Sequence, residues 1–106
     1  MLMFKVVKTR WNDYCSLVGD LVYYMDRKTV PRFGKLFCFE KLEDALRYRI
    51  RGEMILEGEG TRCTDTKWPN IDRSVAPSAW DGTGKVDDFP IGTILAEDFT
   101  PRRVIN

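Results

Sequence analysis

The sequence predicts an α+β fold: a small, mostly antiparallel sheet, one main helix packed on it, and a long irregular loop over residues 64–88. Three observations carry this reading. Several short segments alternate side chains with the two-residue period of strands and are rich in β-branched and aromatic residues. One segment, residues 41–51, switches to a helical period. Residues 64–88 hold two prolines, two glycines and mostly polar side chains and show neither period, which makes them a loop of unusual length for a small domain. At 106 residues the chain is read as a single domain, 1–106, large enough for one modest core.

Residues 3–9 place Phe4 and Val6 on one face and Met3, Lys5 and Val7 on the other, which fits a first strand with one side partly covered. Residues 10–20 carry the turn formers Asn12, Asp13 and Gly19 among aromatics and read as a loop or short helical turn. Residues 21–30 read as a second strand, bounded by Pro31 and a turn over residues 31–34. Residues 36–40 set Phe37 and Phe39 against Leu36 and Cys38; with both faces apolar, this strand is expected to be central.

In residues 41–51, Leu42, Ala45, Leu46 and Ile50 fall on one helical stripe. Glu43 and Asp44 open this helix and Arg47, Arg49 and Arg51 close it, the arrangement that suits the helix dipole, with Gly52 as the stop. Residues 53–63 read as a strand with Met54 and Leu56 opposite Ile55 and Glu57, loosened by Gly58 and Gly60. Beyond the loop, a strand at 92–96, a turn at Glu97-Asp98 and a last short strand at 103–105 complete the chain.

Composition narrows the chemistry. Seventeen Lys and Arg stand against sixteen Asp and Glu, a net charge of +1, and there is no histidine. Catalysis through a Ser-His-Asp triad, a Cys-His dyad or an imidazole base is therefore excluded, as is a histidine-containing zinc site. The near-neutral balance argues against a dedicated nucleic-acid binder, which neutralises phosphates with a basic excess. Lys5 and Lys8 interrupt the apolar start, and no window approaches the ~18 apolar residues of a membrane helix, so a cytoplasmic protein without a membrane partner is expected. Cys15, Cys38 and Cys63 are odd in number and lack a C-x-x-C pair, so neither a disulfide framework nor a metal site is expected, and no cofactor is implied. Cys38 is read as an inert buried thiol.

Three groups of residues are candidates for function. Glu57 and Glu59, two apart on a strand, share a face and form a possible acid–carboxylate pair, although the simpler reading is an exposed edge with solvated acids. Arg47 and Arg51, four apart, offer a forked anion site if the helix runs through both; otherwise they are a solvated helix face. Arg10, Trp11 and Tyr14 in the first loop, with Arg62 and with Trp68, Arg73 and Trp80 in the long one, combine the side chains that dominate binding hot spots. Tryptophans so placed either cap the core or present a recognition surface.

The passage from Phe37 and Phe39 through Leu42, Glu43 and Ala45 to Ile55–Glu57 resembles a loose group of small phage and prokaryotic proteins in which an aromatic strand runs into a Leu-Glu-x-Ala helix and then a strand. It is also similar to the middle of ADP-ribosyltransferase-type folds. The resemblance covers about a quarter of the chain and implies a phage-encoded protein with, at most, a degenerate transferase-like shell. Under the Arg-Ser-Glu pattern of those enzymes it implies Arg10 as the phosphate anchor and Glu59 as the catalytic carboxylate. The Ser-Thr-Ser strand of that pattern is missing here, and so is the histidine of the His-Tyr-Glu pattern.

The reading reached from the sequence is a small non-enzymatic binding protein, recognising a partner protein or a small anionic ligand through Arg10, Trp11, Tyr14, Arg62, Trp68, Arg73 and Trp80. A nucleotide-cofactor enzyme using Glu59 and Arg10 is one alternative, and it requires the two to converge in one cleft. A single-strand nucleic-acid binder, with Trp68 or Trp80 stacking on bases, is the other. Either a monomer or a homodimer is compatible, the latter through an edge formed by Val22, Tyr23 and Tyr24.

Overall fold

A computed structural model describes residues 1–17, 21–31, 35–63 and 91–105. These form strands β1 (Leu2–Arg10), β2 (Asp13–Ser16), β3 (Val22–Tyr23) and β4 (Leu36–Phe39), helix α1 (Leu42–Tyr48), and strands β5 (Met54–Arg62) and β6 (Thr93–Ile105). All six strands lie in one sheet of order β3-β2-β1-β4-β6-β5, every pairing antiparallel, and β1 also pairs with β5. That last pairing closes β1, β4, β6 and β5 into a four-stranded barrel-like ring, with β2 and β3 as an extension of one wall. The described residues are mostly antiparallel β with one short helix.

Closure explains why β1 is apolar on both faces. Met3 and Val7 point into the ring with Tyr23, Leu36, Cys38, Leu56, Ile94, Ala96 and Phe99, a single buried cluster. Phe4 and Val6 point outward, where Phe39, Ile55 and Ala45 of α1 cover them in a second cluster. The expected half-covered strand is therefore covered on both sides, because a closed sheet needs an apolar lumen as well as an apolar seat for its helix.

Several elements differ from the sequence reading, each for a local reason. Residues 10–20 are not a loop or helical turn: Arg10 pairs with Asp13 across a two-residue turn, and the strand continues to Ser16. Trp11 and Asn12 take φ of 54° and 70°, the left-handed pair that a tight hairpin requires, but Trp hides the usual Asn-Gly signature. The strand expected over 21–30 shrinks to Val22–Tyr23, since Asp26 turns the chain at φ 61°. Thr29 then rejoins the sheet through a bridge to Phe99.

Helix α1 stops at Tyr48, not at residue 51. Ile50 and Glu53 close their own turn, the Glu53 amide donating to the Ile50 carbonyl at 3.1 Å and the Ile50 amide to Glu53 Oε1 at 3.0 Å, and Gly52 serves that turn at φ 90° instead of capping the helix. Of the expected stripe only Ala45 is fully buried; Leu42 is half-buried, and Leu46 and Ile50 are exposed.

No turn interrupts the last strand. Residues 93–105 run as one strand of 13 residues, and register shifts against β5 pass over Glu97 and Arg102. These bulges let the strand carry Pro101, which has no amide hydrogen to donate; its carbonyl instead accepts the Asp26 amide at 2.8 Å. The loop expected over 64–88 and all but Pro31 of the turn at 31–34 lie outside the described residues.

Candidate binding site

The barrel and the hairpin part company at Val7. This residue pairs with Met54 of β5 on one side and with Ser16 of β2 on the other, and β5 goes no further. Lys8, Thr9 and Arg10 are thus paired only with β2, and the β1–β2 hairpin projects past the end of the ring. β3 braces it through the pairs Tyr14–Tyr23 and Cys15–Val22. Tyr14 is half-buried and packs on the luminal cluster, so it supports the hairpin base.

At the tip stands Trp11, with 87% of its surface exposed, the highest value among the exposed large apolar residues described. Its backbone is left-handed, a conformation that costs a bulky residue roughly 1–2 kcal/mol. A tryptophan that gains no burial and sits in an unfavourable backbone conformation contributes little to the fold. Arg10, exposed beside it, faces Asp13 across the hairpin. This tip offers a large planar apolar anchor next to a guanidinium, the two side chains most enriched where binding energy concentrates.

The chain also approaches this end through the α1–β5 turn, which enters β5 at Met54, opposite Val7. Ile50, expected on the apolar stripe, and Arg51, expected in the last turn, both lie past the end of the helix, Ile50 67% exposed. The spacing of Arg47 and Arg51 consequently does not make a forked helical site. Arg47 is within 3.6 Å of Asp44.

The remaining candidates lie elsewhere. Glu59 is paired in register with Leu2, whereas Arg10 is eight residues further along the same strand, about 26 Å of extended chain. The structure therefore does not bring Glu59 and Arg10 together, and the cleft that the cofactor-enzyme reading requires is not formed by this pair. Glu59 approaches Arg102 at 3.8 Å, while Glu57 holds Arg103 through two hydrogen bonds, so each carboxylate has its own arginine. Arg62, at the far end of β5, lies 3.8 Å from Glu40. Trp68, Arg73 and Trp80 lie outside the described residues.

A second polar constellation is sealed inside the ring. Lys5 Nζ donates to the Phe37 carbonyl at 2.6 Å and sits 5.9 Å from the centre of the Tyr23 ring, and the Ser16 hydroxyl donates to Tyr23 Oη at 3.4 Å. Burial lowers the Lys5 pKa, raises that of the Tyr23 phenol, and pushes the Cys38 thiol up to about 11 despite the neighbouring ammonium. All these groups are buried, so the cluster meets no solvent-borne substrate. Cys38 is the buried thiol expected from its strand position, and Cys15 and Cys63 are buried and free as well.

The buried lysine has a measurable consequence. Its folded pKa lies below the free value, so between the two the unfolded chain binds more protons and stability rises with pH. Cys38 and Tyr23, shifted upward, act in the opposite sense at alkaline pH. Lys5→Met removes the first effect and leaves the Cys38 thiol without the ammonium that holds it down, which moves stability in the same direction as the pH rises. The variant's stability relative to wild type, measured by urea unfolding, is expected to decline as the pH rises toward the ordinary lysine range. A pH-independent difference would show that Lys5 is not desolvated.

No known protein family, curated protein or solved structure matches the chain. Among the described residues no helix is long and apolar enough to cross a membrane.

Proposed function

We propose that this chain is a non-enzymatic binding protein that recognises a partner protein by inserting the β1–β2 hairpin tip, with Trp11 as the anchor and Arg10 as an orienting contact. The observation that carries the reading is the placement of Trp11, almost fully exposed on a left-handed backbone at the end of a hairpin that projects from a closed barrel. Indole burial in a partner pocket supplies affinity, and the adjacent guanidinium selects orientation by directional hydrogen bonds. The charge pattern supports a protein over a nucleic acid: the net charge is +1, and Arg47, Arg62, Arg102 and Arg103, four of the eight described arginines, each lie beside a carboxylate, so the chain carries no large basic excess to neutralise a phosphate backbone.

Site-specific incorporation of a benzophenone amino acid tests this. Placed at residue 11 and irradiated in a lysate of the source cells, it is expected to yield a discrete protein adduct, absent when the same group replaces Val30, which is exposed elsewhere. Adducts that form equally from both positions, or that nuclease removes, contradict the reading.

A further inference from the structure

From the charge distribution we infer that the partner surface is acidic and apolar, and that the α1–β5 turn contacts it together with the hairpin; this rests on the hairpin reading above. Cation neutralisation is uneven over the described surface. Arg102 meets Asp26 at 3.0 Å and Glu59 at 3.8 Å, Arg103 meets Glu57, Lys35 meets Glu97 at 2.8 Å, and Lys28 meets Asp98 at 3.9 Å. Half-buried Arg49 and exposed Arg51 have no carboxylate within ion-pair distance among the described residues; exposed Arg27 and Lys41 have none either, but neither has a second such cation two residues away. Between them stands Ile50, 67% exposed, and Tyr48 precedes them, 43% exposed with its ring leaning on Phe39 at 5.4 Å.

The chemistry of this segment selects its partner. Alternating guanidinium and apolar side chains fit a segment that alternates carboxylates with apolar groups, since a rim of opposite charge steers approach while the apolar contacts hold. Two cations are few for a polyanion, whose affinity comes from many phosphate contacts, and exposed isoleucine gains nothing from a phosphate. The turn enters β5 opposite Val7, the residue from which the hairpin departs, so Trp11 and Ile50 extend from one end of the sheet and serve one partner.

Fluorescence anisotropy with labelled random peptides of Asp, Glu, Leu and Phe tests the inference. The comparison probes are a matched set carrying Lys and Arg for the acids, oligo-dT, and phosphatidylserine vesicles. The acidic set is expected to bind, Arg51→Glu to weaken it about tenfold, Arg51→Lys to retain most of the binding, and salt to weaken wild type more than Arg51→Glu. Thermal unfolding of each variant, expected to be unchanged at this exposed position, separates lost contacts from lost folding. No binding of the acidic set, equal binding of the basic set, or stronger Arg51-dependent binding of oligo-dT or vesicles overturns the inference. If Trp11→Ala abolishes peptide binding and Arg51→Glu does not, the acidic-partner inference fails and the hairpin reading stands; if neither variant matters, both fail.

Discussion

Gly58→Ala is expected to lower stability by roughly 3 kcal/mol, a fall in melting temperature on the order of 12–24 °C. Gly58 lies opposite Pro101, where β6 bulges at Arg102. A Cβ there would overlap the Thr100 carbonyl oxygen and lie 2.9 Å from Pro101 Cα. Both are backbone atoms, so no side-chain rotation relieves the overlap, and β6 must move away from β5. That pairing is the longest in the ring, and its loss opens the lumen lined by Leu56 and Phe99. The effect is read by differential scanning calorimetry. A change below about 1 kcal/mol would mean that the β5–β6 bulge is not formed as described.

Trp11→Ala is expected to weaken partner binding by at least ~30-fold, about 2 kcal/mol, the level of an interface hot spot. A side chain exposed over 87% of its surface makes few contacts to lose within the domain, so its removal acts on the complex and leaves the core intact. Calorimetric titration against the partner captured through residue 11 measures it, with Tyr14→Ala as a contrast. Tyr14 packs on the luminal cluster, so its loss is expected to lower stability first. A loss of affinity under threefold on removing Trp11 would mean that the tip is not the anchor.

Much of the fold is legible in the residues. The two-residue alternation in Met3–Val7, Leu36–Phe39 and Met54–Glu57 marks three of the four ring strands, and the stripe through Leu42 and Ala45 marks the helix. What is not legible is closure. That β1 meets β5 as well as β4 is a long-range pairing, and period-two patterns do not encode which strands are neighbours. Lys5 shows what closure adds: it shares a face of β1 with Met3 and Val7, and in the ring that face is the lumen, where Lys5 lies under Tyr23. The turn expected at Glu97-Asp98 is a bulge instead, since β6 passes over Glu97 and carries these polar residues through the strand without ending it.

The site is legible by composition and not by geometry. Trp11 and Arg10 stand out as residue types, but two positive φ values at Trp-Asn follow no common turn preference, so the hairpin that presents them is hidden. Ile50 is missed because it completes an apolar stripe. The helix ends two residues earlier, where Glu53 captures the Ile50 amide, and the same isoleucine becomes a surface residue.

On the proposed function, Trp11 is held at the hairpin tip for recognition at the expense of local backbone preference. Trp11→Asn puts at that position a residue suited to the left-handed turn. Thermal unfolding of this variant beside wild type is the most direct measurement. A rise of a few °C, on the order of 0.5–1 kcal/mol, is expected, together with loss of the adduct or complex that Trp11 supports. A melting temperature several degrees below wild type would contradict the account, because it would make Trp11 part of what holds the domain together.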